Sequence, residues 1–84
     1  MKIIFLDQAW EDYLHWQNTD KAMLKKINSL IKEIERLPFE GIGKPEPLKH
    51  NLTGLWSRRI NLDHRLVYKM ENESIVLFQC RYHY

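Results

Sequence analysis

The sequence predicts an α+β fold in which a two-helix hairpin covers one face of a β-sheet. Three observations lead there. Between Met23 and Leu37 apolar residues recur at spacings of one, three and four, the period of an amphipathic helix. From Leu55 to Met70 the chain reads LWSRRINLDHRLVYKM, an alternation that suits two strands around a tight turn. All three glycines and all three prolines lie between Pro38 and Gly54, so an irregular segment divides a helical half from a strand half.

Lys2 to Leu6 is a short apolar run with β-branched Ile3 and Ile4, read as a buried strand feeding a helix. Asp7 follows as an expected N-cap. From Gln8 to Asn18, Trp10, Tyr13, Leu14 and, less cleanly, Trp16 fall near one helical face. Thr19 and Asp20 restart the helix. Its apolar face is Met23, Leu24, Ile27, Leu30, Ile31, Ile34 and Leu37, with Lys21, Lys25, Lys32 and Glu35 on the others, and Pro38 ends it. The segment from Pro38 to Gly54 reads as one long ordered loop, and long loops in compact domains are usually functional. Within it GKPEPLKHN places Lys44, Glu46, Lys49 and His50, with prolines on both sides of Glu46 to stiffen it.

In the first strand of the arginine hairpin Trp56 and Ile60 take one face, and Leu55, Ser57 and Arg59 the other. In the second, Leu66, Tyr68 and Met70 oppose Arg65, Val67 and Lys69. A three-residue loop at Asn61, Leu62 and Asp63 sets Arg59 opposite Arg65, which is destabilising unless an anion joins them or both splay into water. A phosphate-binding face and a solvated face both remain open. Glu71 to Ser74 makes a polar turn, and Ile75 to Tyr82 completes the meander. Val76, Phe78, Cys80 and Tyr82 take one side of it, and Leu77, Gln79, Arg81 and His83 the other. His83 is thereby expected at the end of a strand.

Eighty-four residues suit one domain, spanning residues 1–84, with a modest core. Hydrophobic residues at 44% and charged residues at 29% fit a globular chain, and no apolar run approaches the length that spans a bilayer. The start, MKIIFLDQAW, is too short in apolar residues for a secretory signal, so a cytoplasmic location is expected. Cys80 is the only cysteine; an internal disulfide and a cysteine-based zinc site are excluded, and Cys80 is expected to pack as a small apolar residue. The formal charge is +2, but Met1–Gly43 has six basic and seven acidic residues, and Lys44–Tyr84 has seven and four. A basic half with interleaved aromatics suits nucleic acid.

The histidines (His15, His50, His64, His83) stand singly, Glu33 and Glu35 diverge on their helix, and no metal-ligand spacing or glycine-rich phosphate loop occurs. No metal and no cofactor are expected. Ser57 lacks a glycine elbow, so a serine nucleophile has no support. What remains is Glu46, His83 and cations at Lys49, Arg59, Arg65 and Arg81. A base, an acid and charge stabilisers are what cutting RNA through its 2′-hydroxyl requires, and a simple binding surface is the alternative.

EGIGKPEPLKHNLTGLWSRRI, DHRLVY and the terminal CRYHY, with DYLHWQ and KINSLIKEIERLPFEG in the helices, resemble the YoeB toxins of bacterial toxin-antitoxin systems, within the RelE/ParE toxin superfamily. The similarity covers essentially the whole chain. It implies a RelE-like fold, two N-terminal helices on a twisted antiparallel sheet, and an endoribonuclease acting on messenger RNA in the ribosomal A site. It further implies that the base falls on Glu46, the phosphate-binding cations on Lys49, Arg59 and Arg65, and the acid on His83, with Tyr84 completing the site. His50 ranks below these, as a second titratable group or a loop hydrogen bond, and Arg81 reads as structural. The implied partners are messenger RNA on the ribosome and a YefM-type antitoxin, with operon DNA bound only through the antitoxin complex and homodimerisation left open. A ParE-like gyrase poison and a noncatalytic ribosome-binding module are the rival classes, and neither needs an acid and a base.

Overall fold

The cleanest period in the sequence becomes helix α2 (Lys21–Arg36) in a computed structural model that describes residues Met1–Tyr84. The Asp20 carboxylate accepts from the backbone N–H groups of Ala22 and Met23 at 3.1 and 3.2 Å, a cap worth about 1 kcal/mol. Met23, Ile27, Leu30, Ile31 and Ile34 are its buried face, as the spacing predicts.

Helix α1 (Asp7–Thr19) departs from expectation in two ways. Its N-cap is Leu6, without a side-chain cap, because the Leu6 N–H donates to Leu77 O at 3.0 Å and so keeps Leu6 in strand pairing. Asp7 is instead the first helical residue, where its charge still suits the helix dipole. The buried positions are Ala9, Asp12 and Trp16, so of the expected Trp10, Tyr13, Leu14 and Trp16 stripe Trp16 is buried, Tyr13 and Leu14 are half-buried and Trp10 faces outward. Trp10 is about half exposed (48%), stacked on Tyr13 and edge-on to Phe5. A polar residue at the centre of the buried stripe disguises it in a hydropathy pattern.

The five strands run in the order β1-β5-β4-β3-β2: β1 (Lys2–Phe5), β2 (Glu46–Pro47), β3 (Trp56–Arg59), β4 (Arg65–Glu71) and β5 (Ser74–Gln79). Strands β2 to β5 pair antiparallel, and β1 joins β5 in parallel, so the expected antiparallel sheet becomes mixed. A parallel partner demands a long crossover, which the two helices begin. β1 is an exposed edge and not the buried strand its composition suggested, with Ile3 and Ile4 both about 40% exposed. The segment expected as irregular loop also contributes structure, the two-residue β2 and a 3₁₀ turn at His50–Leu52.

One face of the sheet, with Ile60, Leu66, Tyr68, Ile75 and Leu77, packs with Cys80 against Ala9, Trp16 and the α2 stripe to form the core. No helix is long and apolar enough to cross a membrane. Between Val67 and Tyr68 the β4–β5 register shifts by one residue, and this bulge reverses the alternation beyond Leu77. Cys80 therefore turns to the helices with Leu77, and the strand stops at Gln79 rather than running to Tyr82.

Sequence reasoning passed over Arg58, which alternates with Trp56 and Ile60 and so also faces the core. It is fully buried. Its Nε donates to the Tyr68 hydroxyl at 3.2 Å, Nη1 to Ile42 O at 3.0 Å, and Nη2 to Leu37 O and to Glu40 O at 2.8 Å. Tyr68 in turn donates to Pro38 O at 2.7 Å. One guanidinium thus satisfies the carbonyls of a glycine-rich turn that has no ladder of its own. Arg58→Met strands these acceptors, each costing about 1–3 kcal/mol, so urea unfolding followed by tryptophan fluorescence should show about 3 kcal/mol or more of lost stability. A loss below about 1 kcal/mol would contradict this role.

Candidate active site on the open sheet face

The register assembles the face away from the helices. Glu46 lies opposite Ser57, Ser57 opposite Val67, and Val67 opposite Gln79. Two residues further along β3, Arg59 lies opposite Arg65, as the three-residue loop predicts. Glu46 owes its place to the pairing of β2 with β3 between two prolines. The turn before it closes because Gly43, at φ +84°, brings its carbonyl to the Arg59 N–H at 2.6 Å. A Cβ on Gly43 would sit 3.1 Å from Arg58 Cβ and 3.2 Å from Arg59 O, so the close approach needs glycine.

Glu46, Lys49, His50 and Tyr84 line one open cleft of about 380 Å³ with Pro47, Leu48, Asn51 and Leu52. The Tyr84 hydroxyl donates to Glu46 Oε1 at 3.2 Å. Leu48 is buried, its N–H on Leu55 O at 2.9 Å, and it anchors the segment from beneath. His50 has a left-handed backbone, φ 58°. Its carbonyl accepts from the Thr53 N–H and hydroxyl, which closes the short turn carrying Lys49 and His50.

The two arginines solve their mutual repulsion by parting. Arg65 is buried, and its Nη1 donates to Asn61 O at 2.8 Å, His64 O at 3.1 Å and Leu62 O at 3.2 Å. The loop that supplies these carbonyls is itself tied by Asn61 Oδ1, which accepts from the Asp63 and His64 N–H groups. Arg59 is exposed and lines a neighbouring cleft with Lys26, Lys44 and Asn61.

Beyond Gln79 the chain bends across this face. Its first anchor is Cys80, whose N–H donates to Asp12 Oδ2 at 3.0 Å and whose carbonyl accepts from Trp16 Nε1 at 2.8 Å. Burial pushes the Cys80 thiol up to about 12, with the nearby Asp12 charge adding to it, so the sulfur is packing and not a nucleophile. The second anchor is Tyr82, whose carbonyl accepts from the Arg65 N–H at 3.0 Å and whose N–H donates to His64 Nδ1 at 2.7 Å. Tyr82 has φ 66°, and the turn there separates the last two side chains. Tyr84 reaches the Glu46 cleft. His83 lines a small polar pocket with Gln8, Asp12, Gln79, Arg81 and Tyr82, its ring 5.2 Å from that of Tyr84.

The expectation that His83 extends from the end of a strand is therefore corrected. The strand ends four residues earlier, and His83 meets Glu46 only through Tyr84. Arg81 does not share a strand face with it; its guanidinium lies 4.5 Å over the Tyr82 ring. Asp12, Trp16 and His64, which place this tail, escaped sequence reasoning. The one available signal was an acidic residue within the first helix's apolar spacing.

A family model described as YoeB-like toxin of bacterial type II toxin-antitoxin system matches residues 5–84. Toxin YoeB of Escherichia coli K12 is 61% identical over 84 residues, covering all of both chains. Among solved structures, the YoeB dimer from Staphylococcus aureus superposes with a TM-score of 0.94 at 55% identity, covering 100% of this chain and 98% of that one. The YoeB chain of a heterotetrameric YoeB-YefM complex from the same organism gives a TM-score of 0.93 at 55% identity and the same coverage.

Proposed function

The chain belongs to the YoeB-like toxins of bacterial type II toxin-antitoxin systems, and on that premise we propose that it is a ribosome-dependent endoribonuclease. Its 84 residues act as one toxin domain in the cytoplasm, cutting messenger RNA in the ribosomal A site and so inhibiting translation. One observation carries this reading. A carboxylate fixed on a proline-flanked strand shares a cleft with Lys49, His50 and the terminal tyrosine, on the sheet face that also bears Arg59 and Arg65.

In this mechanism Glu46 takes the proton of the 2′-hydroxyl and the freed oxygen attacks the adjacent phosphorus in line. Arg65, Arg59 and Lys49 stabilise the charge that builds on the phosphoryl oxygens. His83 protonates the departing 5′-oxygen. Tyr84, bonded to Glu46 in the cleft, exchanges that bond for the RNA and offers its ring to a base. Base, acid and charge stabilisers are all side chains, so the mechanism calls on no metal or cofactor.

A YefM-type antitoxin is the proposed partner, supported by the YoeB-YefM complex of the S. aureus relative, and a homodimer is supported by that relative's dimer. Operon DNA is contacted only through the antitoxin complex. The test is to add the purified chain to ribosomes translating a defined messenger and to map the fragment ends. Cuts within the A-site codon are expected. Cuts equally abundant without ribosomes, or intact messenger throughout, would overturn the reading.

A further inference from the structure

We infer that His64 is a positioning residue, whose Nδ1 seats the C-terminal tail and thereby aims His83 and Tyr84. The inference rests on the nuclease reading for its catalytic consequence, and on geometry for the docking itself. The Tyr82 N–H donates to His64 Nδ1 at 2.7 Å. An imidazole nitrogen that accepts carries no proton, so the ring is held in the tautomer with hydrogen on Nε2. Arg65, next in sequence, donates its own N–H to Tyr82 O at 3.0 Å. Both backbone polar groups of Tyr82 are thus taken by consecutive residues at the entry to β4, its N–H by the His64 side chain and its carbonyl by the Arg65 backbone.

The ring that makes this bond is itself placed. Its centroid lies 4.8 Å from that of Trp16 at an interplanar angle of 79°, an edge-to-face contact. The His64 N–H is fixed on Asn61 Oδ1 at 2.8 Å. Trp16 holds the Cys80 carbonyl as well, so one indole positions both anchors of the tail. Two residues past the His64 bond, Tyr84 meets Glu46 at 3.2 Å. A tail of five residues, Cys80 to Tyr84, with a left-handed turn at Tyr82 has no strand ladder to define its path. Side chains must do so, and an error of about 1 Å at such a point can cost about 10²-fold in rate.

Two complementary substitutions separate the acceptor from the ring. His64→Asn puts an amide oxygen near the place of Nδ1 and loses the ring; His64→Phe keeps a ring against Trp16 and loses the acceptor. Hydrogen exchange at the Tyr82 amide reads docking directly, and single-turnover cleavage on ribosomes reads its consequence. His64→Phe should speed exchange and lower the cleavage rate about tenfold or more, with the concentration for half-maximal rate changed less than threefold. His64→Asn should restore slow exchange and come within about threefold of the wild-type rate. Unchanged exchange in His64→Phe, or an active Phe and inactive Asn variant, overturns the inference. A wild-type chain that cuts no RNA overturns the nuclease reading alone, since exchange still decides the docking.

Discussion

Replacing the attacked nucleotide by its 2′-deoxy form should stop cleavage, and Glu46→Gln should lower the single-turnover rate by about 10²- to 10⁴-fold, the usual contribution of a positioned general base. The two effects have one origin. Without the 2′-oxygen there is no internal nucleophile, and without the carboxylate nothing at this position removes its proton. The upstream fragment should then carry a 2′,3′-cyclic phosphate or its hydrolysed 3′-phosphate. Glu46 is exposed and lies on a two-residue strand, so the amide substitution leaves folding intact and a lower rate reports chemistry. A 3′-hydroxyl end, or cleavage of the 2′-deoxy substrate, rules the mechanism out.

His83→Gln should likewise cost about 10²- to 10⁴-fold, because glutamine can donate a hydrogen bond but cannot deliver a proton to the leaving 5′-oxygen. His83 is exposed in the pocket beside Asp12 and Arg81, and the Tyr84 ring stands between it and the Glu46 cleft. The proposed mechanism requires RNA to displace Tyr84 from Glu46 and His83 to swing toward the cleft about Tyr82, with the anchors at Cys80 and Tyr82 as the pivot. Restoring a good leaving group separates the acid's role from binding. A substrate with a 5′-phosphorothiolate link, which needs no proton to depart, should be cut by His83→Gln at near the wild-type rate. A folded His83→Gln chain that cuts the normal substrate at full rate would remove His83 from the mechanism.

Much of this was legible because it is local. The α2 stripe, its Asp20 cap and its end at Pro38 are written in neighbouring residues, and the Arg59–Arg65 register follows from alternation plus a three-residue loop. What could not be read depends on residues far apart in sequence. Asp12 looks like a solvated helix charge until the Cys80 N–H, 68 residues away, arrives to pair with it. Arg58 looks like a third surface cation until carbonyls 16 to 21 residues upstream collect around it. The one-residue bulge in β5 leaves no mark in composition, yet it turns Cys80 to the helix side with Leu77. Chemical type picked out Glu46 and His83 and the resemblance added Tyr84, but neither foretold that Tyr84 shares the Glu46 cleft while His83 lines a separate pocket.

The parallel pairing of β1 with β5 sets an order of assembly. Lys2 lies opposite Ser74, and the Cys80 anchors reach back to Asp12 and Trp16 across 68 and 64 residues. The helical hairpin and the arginine hairpin close short loops, whereas these contacts must bridge nearly the whole chain, the slowest kind of closure. The edge strand and the C-terminal tail are therefore expected to seat last, after the two hairpins have formed. The tail that carries His83 and Tyr84 thus depends on α1 and the start of β4 for its backbone anchors.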